Sequence, residues 1–277
     1  MKYRHAFHAG NFADVMKHAA LVAALLRLAG KDRPLFLLDT HAGRGRYALA
    51  GGEADAGIAR LLTARALPKH PALARYLAIV RGMNPDGRLA AYPGSPLIVA
   101  ALLRERDRAA FCELQEAEAA ALRQEFRRDA RIGVHHRDGF EALRALLPPA
   151  GKRGLALVDP PYEETEADFS RVAEALAGAA ARWPQGVLMA WYPIKLGADG
   201  RRLQRRLLDA GAGRLLVAEL CVHPDDSRAG LNGSGLVTIN PPWQFDEDLR
   251  ALLPALHAVL APDGAGRTRV ESVGAKP

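Results

Sequence analysis

The segment LALVDPPY, residues 155–162, combines an acidic side chain, two prolines and an aromatic ring. Its apolar residues predict a buried strand, which ends at the prolines because proline cannot donate a hydrogen bond to a neighbouring strand. Asp159 is therefore expected at the carboxyl end of the strand, where open α/β sheets bind ligands. There Asp159 and the Pro160 carbonyl could each accept one hydrogen of a planar amino group, while Tyr162 stacks on its ring. The alternative is a plain turn.

Three other predicted strands also lead into acidic residues. Asp39 is followed by a glycine-bearing turn, which is typical of S-adenosylmethionine sites, and the dinucleotide pattern GxGxxG is not present. Glu113 could accept from both hydroxyls of a ribose, or could simply be an exposed glutamate at the start of a helix. Asp138, beside Gly139, could accept from an adenine amino group. We expect these acids and Asp159 to converge, because the carboxyl ends of parallel strands share one edge of a sheet.

A second segment, Asn240-Pro241-Pro242-Trp243, imitates the first. The apolar runs at 214–222 and 235–240 are joined by a loop rich in Gly, Asp and Ser, which predicts an antiparallel pair. Asn240 would then lie at the opposite edge of the sheet from Asp159. We interpret it as a structural turn.

The remaining pattern alternates helices and strands. Helical spacing predicts a helix over residues 11–28 with Asn11 as its cap, and another over 97–106. Ser95 could cap the second helix with Pro96 at its first position, or could face the ligand. Further predicted elements are a helix at 166–182, a strand at 187–191 and helices at 199–210 and 245–260. The chain after residue 262 is weakly patterned.

Residues 52–92 interrupt this rhythm with two or three short predicted helices. Their charged residues are almost all basic, which favours phosphate contacts with a nucleic acid over a merely solvated surface. The basic residues on which this rests are Arg60, Arg65, Lys69, Arg75, Arg81 and Arg88. We therefore expect one main domain formed by residues 1–51 and 93–277, and a helical insertion at 52–92 that contacts RNA.

The bulk composition is that of an ordinary globular protein. The chain has 277 residues, of which 49% are hydrophobic and 25% charged, and its formal net charge of +7 favours a polyanionic partner. No apolar run approaches the ~20 residues that span a bilayer, and the N-terminus lacks a signal core. Cys112 and Cys221 lie in apolar runs and are interpreted as reduced core residues. We expect a cytoplasmic protein with no membrane partner.

Several motifs together resemble a known family. The order of the glycine turn, Glu113, Asp138-Gly139 and DPPY is similar to that of class I S-adenosylmethionine-dependent methyltransferases of the adenine-N6 type. Nearly end to end, the chain resembles the RlmJ family of bacterial 23S ribosomal RNA adenine-N6 methyltransferases. The resemblance is carried by YRHAFHAGNFADVMKH, LDTHAGRGRY, YPGSPLI, LVDPPYE and GSGLVTINPPW.

The resemblance implies a Rossmann-like α/β fold with a mostly parallel seven-stranded sheet, an antiparallel last strand and the helical insertion. It implies methyl transfer from S-adenosyl-L-methionine to adenine 2030 of 23S ribosomal RNA, leaving S-adenosyl-L-homocysteine and needing no metal. The RNA would be free or partly assembled, and the enzyme a monomer.

The resemblance also assigns roles to residues. Asp159 would be the catalytic acid, with Pro160 and Tyr162 binding the target base. Tyr3 and His5 would belong to an N-terminal arm that closes on the substrate. The cofactor site would consist of Lys17, His18, His41, Ser95, Glu113, Asp138 and Gly139. A DNA adenine-N6 methyltransferase and a non-catalytic RNA-binding module are the alternatives.

Overall fold

A computed structural model describes residues 8–49, 52–65, 67, 69–163, 165–196 and 200–274 of the chain. Tyr3 and His5, and hence the predicted closing arm, lie outside the described residues. Within this part of the chain, no helix is both long and apolar enough to cross a membrane. Cys112 and Cys221 are buried free cysteines, as predicted.

The centre of the fold is an eight-stranded mixed sheet. Its strands are β1 (Phe36–Asp39), β4 (Arg108–Glu113), β5 (Ile132–His136), β6 (Gly154–Val158), β7 (Val187–Ile194), β8 (Leu215–Cys221), β9 (Gly233–Ile239) and β10 (Arg267–Val273). They are arranged in the order β10-β8-β9-β7-β6-β1-β4-β5. A separate two-stranded ribbon pairs β2 (Arg46–Ala48) with β3 (Ala91–Pro93).

Helices cover both faces of the sheet. In chain order they are α1 (Phe12–Ala29), α2 (Ile58–Thr63), α3 (Pro71–Gly82), α4 (Ser95–Leu102), α5 (Glu116–Phe126), α6 (Gly139–Leu146), α7 (Thr165–Arg182), α8 (Arg201–Asp209) and α9 (Phe245–Leu260). A 3-10 turn, Glu53–Ala56, precedes α2.

The strands β5, β4, β1, β6 and β7 run parallel, so their carboxyl ends share one edge of the sheet. β9 reverses direction and pairs antiparallel with both β7 and β8. This arrangement confirms the predicted Rossmann-like α/β fold and its antiparallel late pair. The sheet has one strand more than predicted, because β10 adds to β8 at the edge. Its sequence, RTRVESV, is half-exposed and lacks the apolar run that reveals a buried strand.

Helix α1 is buried along most of its length and forms the centre of one hydrophobic cluster. Its predicted cap is confirmed, since the Asn11 side chain accepts a hydrogen bond from Asp14 N at 2.9 Å. The far end of the helix is held by Arg27, which forms an ion pair with Asp248 of α9 at 2.6 Å. Residues Ile58, Leu61, Leu73 and Tyr76 of the insertion pack into the same cluster. The insertion therefore shares a core with α1.

Two predicted boundaries were wrong. Helix α4 begins at Ser95 with Gly94 as its cap, so Ser95 is inside the first turn and does not cap it; the helix ends at Leu102, short of residue 106. Strand β7 continues past Trp191 to Ile194, because Tyr192 and Pro193 still pair with β9.

Candidate active site

The loop after β1 and the end of β6 lie side by side at the carboxyl edge of the sheet. Thr40 donates to the Leu157 carbonyl from both its backbone N and its Oγ1, each at 3.0 Å. Ala42 N donates to the Cys112 carbonyl of β4 at 2.9 Å. The glycine turn is thus fixed between β6 and β4, and the predicted convergence of the strand ends is confirmed.

Asp159 follows β6 and forms an ion pair with Lys17 of α1. Lys17 Nζ lies 2.5 Å from Asp159 Oδ2 and 2.8 Å from Asp14 Oδ1, and both Lys17 and Asp14 are buried. Burial alone would lower the pKa of Lys17, but the charges of Asp14 and Asp159 raise that pKa well above its usual value. Lys17 is therefore a permanent cation between two carboxylates. Sequence reasoning placed Lys17 in the cofactor site and did not anticipate this contact.

Asp39, at the end of β1, is 1% exposed. Its Oδ1 accepts a hydrogen bond from His41 N at 3.2 Å, whereas Oδ2 is buried with no hydrogen-bond partner among the described residues. Burial raises the pKa of Asp39 to about 6, against the opposing effect of the nearby Ser95 hydroxyl. A buried carboxylate oxygen without a partner is costly, which is a reason to expect a ligand there. Sequence reasoning gave Asp39 no role of its own.

Glu113 is buried at the end of β4 and holds the glycine turn. Its Oε2 accepts from Gly43 N at 2.8 Å and its Oε1 from Gln115 N at 2.7 Å. Gly43 has φ +60°, and a Cβ there would lie 2.1 Å from the Tyr47 hydroxyl oxygen, so the turn requires glycine. Each Glu113 oxygen retains a lone pair for a further donor.

Asp138 caps helix α6. Its Oδ1 accepts from Phe140 N at 2.8 Å and from Glu141 N at 3.0 Å, while its Oδ2 accepts from Arg171 at 2.7 Å. These bonds and the Arg171 charge lower the pKa of Asp138, although burial opposes them. Gly139 packs directly on the loop, since a Cβ there would lie 2.1 Å from the Thr40 carbonyl oxygen. Asp138 is thus a helix cap in this structure, and its contact with an adenine stays a prediction.

His41 and Ser95 lie beside Asp39. The His41 ring packs edge-on against Phe140 with centroids 5.1 Å apart, and its Nδ1 is 2.7 Å from Thr40 Oγ1. Burial lowers the pKa of His41 to about 4, so the ring is neutral at pH 7. Ser95 is buried.

His18 lies beside two buried tyrosines. Its Nδ1 lies 2.7 Å from the Tyr92 hydroxyl, which is in turn 2.7 Å from the Tyr76 hydroxyl. Its predicted role in the cofactor site stays a prediction.

Two aromatic rings stand near Asp159. Tyr162 is 9% exposed, donates from its hydroxyl to the Trp191 carbonyl at 2.6 Å, and has the Trp191 ring edge-on at 5.7 Å between centroids. Tyr162 can therefore stack on a base only if a face of its ring becomes accessible, and this role stays a prediction. Trp191 is half-buried, and its ring centroid lies 5.9 Å from Lys17 Nζ. Sequence reasoning missed Trp191, whose only signal was its place near a strand end.

The lookalike segment lies at the opposite edge, as predicted. Asn240 follows β9 and donates from Nδ2 to the carbonyls of Pro184 and Gly186, which precede β7. Trp243 is 84% exposed.

A mostly parallel Rossmann-like sheet with acidic residues at adjacent carboxyl ends defines the class of this protein as an α/β enzyme with a ligand site at that edge. Comparison with known proteins is more specific. A family model described as "Ribosomal RNA large subunit methyltransferase D, RlmJ" matches residues 32–273. The chain therefore belongs to this family of ribosomal RNA methyltransferases.

Full-length relatives agree with the family. The chain is 42% identical over 276 residues to the protein named ribosomal RNA large subunit methyltransferase J of Escherichia coli, covering 98% of each chain. It is 40% identical to the protein of that name from Haemophilus influenzae, again covering 98% of each. A crystal structure of a Legionella pneumophila protein superposes with a TM-score of 0.86 at 33% identity, covering 96% of this chain and 98% of the other.

Proposed function

We propose that this protein transfers a methyl group from S-adenosyl-L-methionine to the N6 amino group of an adenine in 23S ribosomal RNA, which by family resemblance is adenine 2030. The family and the names of the two bacterial relatives support this reaction. The observation that carries it in this chain is the position of Asp159. One of its oxygens is held by Lys17, and no described residue is hydrogen-bonded to the other, Oδ1.

The residues at this edge fit the proposed cofactor. Asp39 Oδ2, which has no hydrogen-bond partner among the described residues, offers a buried acceptor, and Glu113 offers lone pairs to the two hydroxyls of a ribose. Gly43 allows the turn that brings the backbone to the Glu113 carboxylate. When bound, S-adenosyl-L-methionine supplies an electrophilic methyl group on a sulfonium and leaves as S-adenosyl-L-homocysteine. The proposed site is completed by Lys17, His18, Ser95, His41, Asp138 and Gly139, and no metal has a role in it.

Asp159 acts on the target base. The N6 lone pair of adenine is delocalised into the ring, so the amino nitrogen is a poor nucleophile. Hydrogen bonds from its two hydrogens to Asp159 Oδ1 and the Pro160 carbonyl favour a more pyramidal nitrogen. As the nitrogen becomes positive, the Asp159 carboxylate stabilises that charge, and the methylated nitrogen then releases its extra proton to solvent. Tyr162 stacks on a base that has left its duplex or loop.

The basic insertion at 52–92 is the proposed RNA-contacting subdomain. Arg65, Lys69, Arg81 and Arg88 are exposed and are available for phosphates. The arm with Tyr3 and His5 would close over the base once the RNA is bound. We propose that the enzyme works in the cytoplasm as a monomer, on RNA that is free or partly assembled.

The test is incubation with methyl-labelled S-adenosyl-L-methionine and fragments that tile 23S ribosomal RNA, followed by nuclease digestion and identification of the labelled nucleoside. We expect N6-methyladenosine at a single position in one fragment. A matched duplex and single-stranded DNA of the same sequence serve as controls. Labelling of the DNA alone would favour a DNA methyltransferase, and RNA binding with no label and no cofactor heat by calorimetry would favour a binding module.

A further inference from the structure

Asp14 is a buried carboxylate to which the proposed chemistry assigns no task. It lies in the first turn of α1, is 5% exposed, and its Oδ1 is 2.8 Å from Lys17 Nζ. Lys17 in turn lies 2.5 Å from Asp159 Oδ2. The described cluster therefore contains one cation between two carboxylates. Asp14 and Asp159 thus share Lys17, so the charge of Asp14 affects how far Lys17 neutralises Asp159.

The balance of charges depends on this second acid. If Lys17 faced Asp159 alone, the two charges would cancel, and little negative charge would remain to stabilise a nitrogen that becomes positive. With Asp14 on the other side of Lys17, the three groups together carry one net negative charge. We propose that Asp14 is a positioning residue for methyl transfer, which shares the charge of Lys17 and leaves Asp159 negative toward the target amino group. This inference rests on the proposed function.

Asp14 is rigidly held, as this task requires. Asn11 Oδ1 accepts from Asp14 N at 2.9 Å, and Asp14 Oδ2 accepts from Gly10 N at 3.0 Å. Gly10 is itself fixed, because its carbonyl accepts from Ile58 N of α2 at 2.8 Å. Asp14 therefore cannot turn away from Lys17 without breaking the start of α1.

Groups on several other elements face the cluster. Asp159 raises the pKa values of Asp39, at the end of β1, and of Tyr162, although burial is the larger cause for both. Asp14 adds to the burial that raises the pKa values of Tyr47, Tyr76 and Tyr92, so these phenols stay neutral. His41 is neutral above its pKa of about 4, and Trp191 does not titrate. Among these neighbours, Asp39, with its pKa of about 6, is the group that changes charge near neutral pH.

The test compares single-turnover methyl transfer by wild type and three variants between pH 5 and 9, with cofactor and RNA prebound. Asp14→Asn keeps an oxygen for Gly10 N and removes the charge. We expect its plateau rate to fall about tenfold. Asp14→Glu restores the charge, and we expect it to recover most of the rate.

Asp248→Asn is the matched structural control. It removes the carboxylate that pairs with Arg27, which lies at the other end of α1 from Asp14. It is expected to lower stability and leave the rate profile unchanged. Asp14→Ser, which removes the same charge with a smaller side chain, replaces Asp14→Asn if urea unfolding shows that the latter is not folded. A wild-type rate for the charge-removing variant, or a reduced rate that Asp14→Glu does not recover, would overturn the role of Asp14. Absence of labelled adenine with the wild-type protein would instead overturn the proposed function.

Discussion

Two segments of this chain share a local pattern and differ in almost everything else. Both place an Asp or Asn, two prolines and an aromatic residue after a buried strand. The segment at Asp159 follows a parallel strand and faces a buried lysine, and its Tyr162 is buried. The segment at Asn240 follows an antiparallel strand, its amide donates to two backbone carbonyls, and its Trp243 is exposed.

The direction of the preceding strand and the partners of the side chains therefore decide what such a segment can do. At the parallel edge, Asp159 joins the loop after β1 and the acid that ends β4. At the opposite edge, Asn240 has its side-chain donors committed to closing a turn. The same four-residue pattern is therefore a candidate active site in one place and a structural turn in the other.

The largest expected effect is that of Asp159→Ala. We predict a loss of methyl transfer of at least about 1,000-fold, because the carboxylate that stabilises the developing charge is gone. We expect the fold to persist, since Asp159 lies after β6 and Lys17 keeps Asp14 as an ion-pair partner. Single-turnover rates and circular dichroism measure the two parts. Methylation near the wild-type rate would show that Asp159, like Asn240, has no catalytic role.

Asp39→Asn tests the cost of the buried acid at the functional edge. Because the pKa of Asp39 is raised to about 6 in the folded state, its ionised form destabilises the fold above that pH. We predict that Asn increases the free energy of unfolding by roughly 1–3 kcal/mol at pH 7.5. The gain shrinks as the pH falls below about 6, and it disappears only below about 3, where the acid is protonated in both states.

Urea denaturation at several pH values measures this gain, and calorimetry measures a simultaneous loss of cofactor affinity. A variant less stable than wild type at pH 7.5 would show that Asp39 is satisfied in the fold and is not held there for a ligand.

Asn240→Ala tests the structural edge. The residue has φ 52°, and its amide donates to the carbonyls of Pro184 and Gly186. We predict a loss of about 1–2 kcal/mol in the free energy of unfolding with no change in the methylation rate of the folded protein. Asn240→Gly loses the same hydrogen bonds but accepts a positive φ. The difference in unfolding free energy between the two variants therefore measures the cost of that backbone conformation. A large fall in the rate of either variant would give this edge a catalytic role.

The smallest effect is expected for Trp243→Ser. Its ring is 84% exposed, so its loss should change the free energy of unfolding by less than about 0.5 kcal/mol. RNA methylation should also be unchanged. A clear fall in RNA binding, measured by fluorescence anisotropy, would show that this edge contacts the substrate.

Much of the fold could be predicted from the sequence, because the strands that form the site are short apolar runs ending in acids. The ends of β1 at Asp39 and of β4 at Glu113, and the end of β6 just before Asp159, follow from that pattern, and α9 matches the helix predicted at 245–260. Strand β10 could not be predicted in the same way, since an edge strand with polar residues has no apolar run. The start of α4 was placed too late because Gly94 is the cap and Ser95 belongs to the first turn.

The site was predictable only in part. The convergence of the strand ends follows from parallel pairing, which is a rule of topology. The contact between Lys17 and Asp159 joins residues 142 positions apart, and no spacing along the chain reveals it. The extra acid at Asp14 is likewise visible only once α1 is packed against the sheet edge. Sequence patterns locate elements, whereas the charge balance of a site depends on which side chains the fold brings together.

The central claim is that the edge holding Asp39, Glu113 and Asp159 is the methyl-transfer site. A crystal structure of the protein with S-adenosyl-L-homocysteine tests it most directly. We expect ligand density against Asp39 Oδ2, the turn at Gly43 and the Glu113 carboxylate, on the side of the sheet where Lys17 contacts Asp159. Density at the Asn240 edge, or at any site that leaves Asp39 Oδ2 and the Gly43 turn untouched, would contradict it.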